Sequence, residues 1–301
     1  MQRILVIMNP VSGVHRSRKL ADSILTEFQK HEIKAEIEET QRRYHAYDIA
    51  QEVKNSDFDK VVAVGGDGTI NEIAMGLADS ENLNCKIAVI PTGVGNFIAK
   101  TLGVTKDYRK AVYVAVNGNV KEIDTFKANS ETHGQKNVLG CLGVGYDSHI
   151  VHDIDSNRTG KRLTKLSYCF KCAKHAFRRY NDKIRVIIDD VPLDGEFYWV
   201  EAANTKEYGG GFVFSPEADC SDGLLDIVTF SKPVHRRMIK YAWGLSTGRM
   251  LNNSWVQMHR GQKVRIESEN PLPIQIDGDF AGFTPVEIEY SGLKVKFASK
   301  H

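Results

Sequence analysis

The sequence predicts a two-domain protein: an α/β domain with a mostly parallel sheet over residues 1–123, then an antiparallel β domain over 124–301. Three observations predict it. Up to about residue 120, apolar runs of strand length alternate with apolar residues at helical spacing, the pattern of a parallel sheet clothed by helices. Beyond about residue 123 the text changes to short strand-like runs punctuated by Gly, Pro and Asp. A length of 301 residues suits two domains better than one.

Element by element, "RILVIM" is a buried-type strand followed by the loop "NPVSGVHR". Leu20, Ile24 and Phe28 then recur on one helix face. "IKAEIEET" alternates like an exposed strand, and Ala46, Ile49, Ala50 and Val53 mark the next helix. "KVVAVGG" is a second buried strand, with Ile70, Ile73, Ala74 and Leu77 on the helix after it. "KIAVIPTG" repeats the strand and turn, and "NFIAKTLG" reads as a short helix stopped by Gly103. In the second domain "KNVLGCLGVGYDSHIV", "KIRVIIDDVPL", "EFYWVEAANT", "GGFVFSP", "LLDIVTFS", "KVRIESE", "LPIQIDGD" and "PVEIEYSGLKVKFAS" read as strands of a sandwich or barrel. Helical patterns interrupt them near 161–180 and 234–250.

Composition excludes several classes. The chain is 42% hydrophobic and 26% charged, as a globular protein is, and its net charge of +2 gives no field for nucleic acid. "MQRILVIMNP" has too short an apolar run for a signal peptide, and no stretch approaches the roughly 18 apolar residues of a membrane span. Cys85, Cys141, Cys169, Cys172 and Cys220 form an odd, scattered set that suits a reduced cytoplasm. Cys169 and Cys172 make a lone CxxC within a helical pattern, read as structural helix cysteines rather than a metal or redox pair.

Three loops carry the chemistry, all at the carboxyl ends of strands, where open parallel sheets bind ligands. In "GGDGT", Gly65, Gly66 and Gly68 let the backbone approach a ligand, and the following helix start offers N–H groups to an anion. Thr69 can cap that helix or meet a phosphate. Asp67 sits in the middle of this loop, where an acid repels phosphate. The alternative is a tight strand–helix turn with Asp67 and Thr69 as ordinary caps. "NPVSG" at 9–13 and "PTGVGN" at 91–96 join it, and neither is a Walker A or a complete GxGxxG sequence, so P-loop enzymes and dinucleotide oxidoreductases are disfavoured.

Taken together, Asn9-Pro10 with Ser12-Gly13, Gly65 to Thr69 with Asn71-Glu72, and Pro91-Thr92-Gly93 through Asn96 resemble the catalytic domain of diacylglycerol and related lipid kinases. "GVGYDSHIV", "GGGFVFSPEADCSDGLLDIV" and "IDGD" extend the resemblance to nearly the whole chain, from about residue 3 to 298. It implies a Rossmann-like NAD-kinase/diacylglycerol-kinase-type domain followed by a β-sandwich domain, and transfer of the γ-phosphoryl group of ATP, with magnesium, to a lipid hydroxyl. Asn9, Ser12, Thr40, Gly65, Gly66, Asp67, Gly68, Thr69, Asn71, Glu72, Thr92, Gly93 and Asn96 would bind the nucleotide. Asp279 matches the family's base. Asp67, working through magnesium or its network, and Asp124 would complete a carboxylate network at the domain junction. Taken alone, Asp124 reads as a cap or a solvated loop acid, and the alternative for Asp277 and Asp279 is an Asp-Gly hairpin turn, which can be all that Asp277 does. Asp219, Asp222 and the carbonyl of Leu224 match the ligands of a structural magnesium, the alternative being another Asp-Gly turn.

Three positions depart from the family's commonest pattern: Val94 for a threonine, Phe97 for an aspartate, and Asp279 for a glutamate one methylene longer. They motivate the alternative of a catalytically weak nucleotide- or lipid-binding homologue. NAD kinase, which shares GGDG on a similar fold, is the other alternative, disfavoured by NPxSG and the long 209–228 run. The expected partner is a lipid, with peripheral membrane contact; a homodimer is allowed. Residues 161–183 carry eight Lys and Arg against one acid beside the stripe Leu163, Leu166, Phe170, Ala173 and Phe177. They are read first as a packed helix with a solvated basic face and second as a contact for anionic headgroups.

Overall fold

The computed structural model describes the whole chain except residues 1–2, 56–57, 81, 83, 158–170, 176 and 209–211. Two compact units emerge, residues 1–123 with 293–301 and residues 124–292.

In the first unit β1 (Arg3–Met8), β2 (Lys34–Glu39), β3 (Lys60–Gly65) and β4 (Lys86–Pro91) form a parallel sheet in the order β2-β1-β3-β4. Every residue of β3 is buried, as its unbroken apolar run requires of a strand covered on both faces. The intervening helices are α1 (Ser12–Lys30), α2 (His45–Glu52), α3 (Asp67–Asp79), α4 (Phe97–Thr101) and α5 (Tyr108–Asn117). Ile24 and Phe28 of α1 are fully buried, as their spacing predicts. Helices α2 and α3 pack closely at Gly76, where a Cβ would stand 2.5 Å from the Tyr47 carbonyl oxygen. α5 is absent from the sequence-based reading because "AVYVAV" is β-branched and aromatic. Asp107 starts it by accepting a hydrogen bond from Arg109 N–H.

The second unit holds two antiparallel layers. After β5 (Asn119–Ser130), which passes from the first unit into the second, come β6 (Gly134–Val138), β7 (Cys141–Val144), α6 (Tyr146–Ser156), β8 (Ile184–Ile188), β9 (Val191–Pro192), β10 (Trp199–Ala203), β11 (Glu207–Tyr208), β12 (Phe212–Val213) and β13 (Leu225–Phe230). Then follow α7 (Met238–Thr247), β14 (Val256–Gly261), β15 (Lys263–Ser268), β16 (Pro273–Ile276), β17 (Asp279–Phe283) and β18 (Val286–Ser299). One sheet runs β14-β13-β10-β7-β16-β17. Facing it are β8, β9, β15, the first half of β18 and the β5–β6 pair. One core cluster draws Leu142, Val200, Ile227 and Ile274 from the first sheet and Phe126, Val186, Ile266 and Ile288 from the second. That is a sandwich, with a single apolar layer between two sheets.

Two expectations need correction. The second domain does not run to residue 301: β18 is a 14-residue strand whose far end pairs in parallel with β4 through Phe297 and Ile87, and Val295, Phe297 and Ala298 are buried in the first unit. The strand reading of "GVGYDSHIV" holds only to Val144. Gly145 has φ of 115°, and a Cβ there would meet the Tyr198 carbonyl at 2.5 Å, so the chain turns into α6. Most of the helical pattern near 161–180, including Cys169, lies outside the described residues. Cys85, Cys141 and Cys220 are buried thiols, and no disulfide joins the described cysteines.

Candidate active site

In the first unit, hydrogen bonds knit together the loops after β1, β3 and β4. Asn9 Nδ2 donates to Thr69 Oγ1 at 3.2 Å, and Thr92 Oγ1 donates to Ser12 Oγ at 3.0 Å. The backbone N–H of Thr92 continues the ladder to the Gly65 carbonyl at 2.9 Å. The closest approach is between glycines: a Cβ on Gly93 would lie 2.6 Å from Gly66 Cα, and one on Gly65 would lie 2.6 Å from Thr69 Cβ. Gly93 and Gly66 are therefore demanded by packing between loops, and Gly65 by packing against Thr69 within its own turn. Around Gly68, by contrast, the space is open, with no atom within 4 Å of its would-be Cβ.

Asp67 resolves its own conflict. One carboxylate oxygen accepts the Ile98 N–H at 3.2 Å, and the backbone N–H groups of Asn96 and Phe97 also favour its charged form. The acid thus caps α4 from the neighbouring loop, and burial, the largest effect on it, raises its pKa above the ordinary carboxylate value. At the start of α3, Gly66 is extended and, as a glycine, brings no capping side chain, so apart from the Asp67 N–H, which faces its own carboxylate, the helix start can meet an anion. Glu72 is spent elsewhere: its two oxygens accept Tyr44 N–H at 3.1 Å and Ala46 N–H at 3.2 Å, which starts α2. Thr40 sits at the end of β2 with its N–H on the Met8 carbonyl, and Asn71 lies half-buried on α3.

Asn96 is 3% exposed, adopts a left-handed φ of 53°, and donates Nδ2 to the Gly93 carbonyl at 2.9 Å. Its buried Oδ1 has no hydrogen-bond partner among the described residues. Phe97 is buried in the core, and Val94 is 49% exposed, so neither departure disturbs the interlocked glycines. Lys106 is a residue the sequence reading missed: its Nζ bonds the Gly93 carbonyl at 3.0 Å, setting a cation at the loop. No motif marks it.

The second unit gathers the remaining predicted acids. Asp124 is fully buried, so a solvated loop acid is excluded; its Oδ2 accepts Gly223 N–H at 2.7 Å and its N–H donates to the Cys220 carbonyl at 2.7 Å. Asn204, also missed, donates Nδ2 to the carbonyls of Asp124 and Leu139 at 2.9 and 2.8 Å. Asp219 accepts from Ser221 N–H and Oγ–H, and Asp222 accepts the Leu224 N–H, so the 219–224 turn closes on its own bonds. Both acids are exposed, and among the described residues no group of three or more His, Cys, Asp or Glu is placed to hold a metal. Two carboxylates and a carbonyl on one tight turn are hard-oxygen donors, the ligand type that a largely hydrated Mg²⁺ takes.

Asp277 and Gly278 both have positive φ, 50° and 89°, and form the two-residue turn joining β16 to β17. Asp277 does more than turn: its carboxylate accepts the N–H groups of Leu139, Gly140 and Cys141 at 3.0, 2.7 and 2.9 Å. The hairpin is thereby fixed to the start of β7, and it presents Asp279, an exposed residue paired with Ile276.

A parallel sheet with interlocked glycine loops, followed by an antiparallel sandwich, defines an α/β protein of the NAD-kinase and diacylglycerol-kinase type. The chain belongs to the diacylglycerol kinase and lipid kinase family: residues 3–128 match the diacylglycerol kinase catalytic domain and 140–297 the YegS C-terminal NAD kinase β-sandwich-like domain. It is 26% identical to a diacylglycerol kinase of Bacillus subtilis over 95% of this chain and 93% of that one. A diacylglycerol kinase of Mycobacterium tuberculosis is 27% identical over 76% of this chain and 73% of its own. A solved Bacillus anthracis protein, proposed as a diacylglycerol kinase, shares the fold with a TM-score of 0.79 at 23% identity, covering 99% of this chain and 95% of that one.

Proposed function

We propose that the protein transfers the γ-phosphoryl group of ATP to the hydroxyl of a diacylglycerol-like or sphingoid lipid. The observation that carries this reading is the interlock of Gly66 against Gly93, which leaves the start of α3 uncapped beside open space at Gly68. Phosphoryl transfer asks for positioning and charge neutralisation, and this loop set offers both through backbone N–H groups, the helix start and Lys106. Family membership implies a nucleotide donor.

In the proposed reaction Asp279 takes the proton of the acceptor hydroxyl as its oxygen bonds to the γ-phosphorus. The bond between that phosphorus and the β,γ-bridging oxygen breaks, ADP leaves, and a lipid phosphate remains. Asp67 is a positioning residue, holding the 91–98 segment against the glycine loop. Asp124 sets the backbone of the 219–224 turn. Magnesium, when bound, neutralises phosphate charge; Asp219, Asp222 and the Leu224 carbonyl would hold a structural ion.

The test is transfer of label from γ-labelled ATP to a panel of lipids, with NAD alongside. Labelled lipid is expected. Labelled NADP without labelled lipid would assign the protein to NAD kinases, and nucleotide binding without transfer would make it a binding homologue.

A further inference from the structure

Helix α7 presents an apolar face to solvent on the second unit. Ile239 is 80% exposed and Trp243 52%, and at four-residue spacing they share one face of the helix. The opposite face is firmly seated: Tyr241, Gly244 and Leu245 are buried, with Tyr241 and Leu245 in a cluster with Trp199 and Phe230. The tryptophan is thus displayed by a helix that has already satisfied its own packing.

The stretch of chain that carries this helix is basic. No Asp or Glu occurs between Asp226 and Glu267, whereas Lys232, Arg236, Arg237, Lys240 and Arg249 flank or lie on the helix. Arg236, Lys240 and Arg249 are exposed. A second segment adds to the field: Phe177, 74% exposed, precedes Arg178 and Arg179. The Arg179 charge reaches His235, whose pKa is lowered by burial first, then by Arg236 and Arg179.

From this geometry we propose that the exposed face of α7, centred on Ile239 and Trp243 and rimmed by Arg236, Lys240 and Arg249, docks onto the surface of a bilayer containing anionic lipids. Charge selects the occupant. Exposed Trp and Ile suit the boundary between headgroups and acyl chains, and a basic rim without acids complements anionic headgroups. Among the described residues no helix is long and apolar enough to cross a membrane, so this contact is peripheral. The inference rests on the lipid-acceptor reading only for its purpose, because docking requires no turnover.

The experiment is co-sedimentation of the full chain, without nucleotide or magnesium, with phosphatidylcholine vesicles and with vesicles that also contain phosphatidylglycerol. Binding is expected with the anionic vesicles only. The paired variants Ile239→Ser with Trp243→Ser, and Arg236→Gln with Lys240→Gln, should each weaken it about tenfold or more, with unchanged circular dichroism. Trp emission should shift to the blue on binding in the wild type and not in Trp243→Phe. Absence of vesicle binding, or binding unchanged in both paired variants, would overturn the proposal. So would self-association abolished by the Ile239 and Trp243 pair without vesicle binding, which would assign the face to a second copy. Vesicle binding without any phosphoryl transfer would refute the kinase reading alone, while transfer to a soluble short-chain acceptor without vesicle binding would refute docking alone.

Discussion

Asp67 shows how an acid can sit in a glycine loop with its charge turned away from the helix start that follows. Its carboxylate turns to the amino end of α4, so the charge is absorbed by the N–H groups of 96–98 while the start of α3 stays open. Asp67→Ala removes a cap worth about 0.5–2 kcal/mol, so it should lower thermal stability and raise KM for ATP. Asp67→Asn keeps an acceptor and should recover most of both; a collapse of kcat in Asp67→Asn with stability intact would instead assign the carboxylate to the chemistry. That the chain turns tightly here between a strand and a helix is legible in three glycines. A capping role is open to Asp67 from the sequence, but its partner lies 31 residues away on another loop, beyond the reach of a local pattern. Lys106 escaped for the same reason.

A second residue-scale feature was wholly illegible. Asp147 and Glu201 are buried together, with Trp199 Nε1 donating to both at 2.9 Å and Gln275 Nε2 to Glu201 at 3.3 Å, while the second Asp147 oxygen has no hydrogen-bond partner among the described residues. Gly143 makes room, since a Cβ there would stand 2.6 and 2.7 Å from their oxygens. Burial, the largest cause, pushes Asp147 up to about 6 and Glu201 well above its ordinary value. Both folded-state values exceed the unfolded ones, so the native state binds more protons, and stability falls as pH rises from roughly 4 through 6. Glu201→Gln should flatten this decline when melting temperatures are compared at mildly acidic and slightly alkaline pH. An unchanged slope would show that the pair holds no extra proton.

At the scale of elements, the β16–β17 hairpin is the most informative. Its Asp-Gly turn was readable because two consecutive positive φ angles call for those residues. What the turn holds was not readable, since Leu139, Gly140 and Cys141 lie more than a hundred residues earlier. Asp277→Ala would strand three backbone donors and strain a left-handed position, so unfolding by urea should report a loss of about 2–4 kcal/mol. Activity should fall with it, because Asp279 loses its support. Unaltered stability would mean that the hairpin stands without this anchor. Helices α5 and α6 escape the sequence for local reasons: the β-branched and aromatic residues of α5 carry no clear helical signal, and α6 follows a strand with only Gly145 between them.

For the whole molecule, the order of architecture was plain from the changing rhythm of apolar residues, and the sheet-and-sandwich arrangement agrees with it. The return of 293–301 to the first unit was hidden, because one uninterrupted strand serves both units and nothing in "PVEIEYSGLKVKFAS" marks the crossing except Gly292. The central claim is phosphoryl transfer to a lipid hydroxyl with Asp279 as base. Its most direct measurement is the rate of labelled lipid phosphate formation by wild type and Asp279→Asn, with ATP affinity measured on both. The account predicts labelled lipid from the wild type, a loss of at least about 100-fold in kcat for the variant, and unchanged ATP affinity. Equal turnover in the two proteins would contradict it.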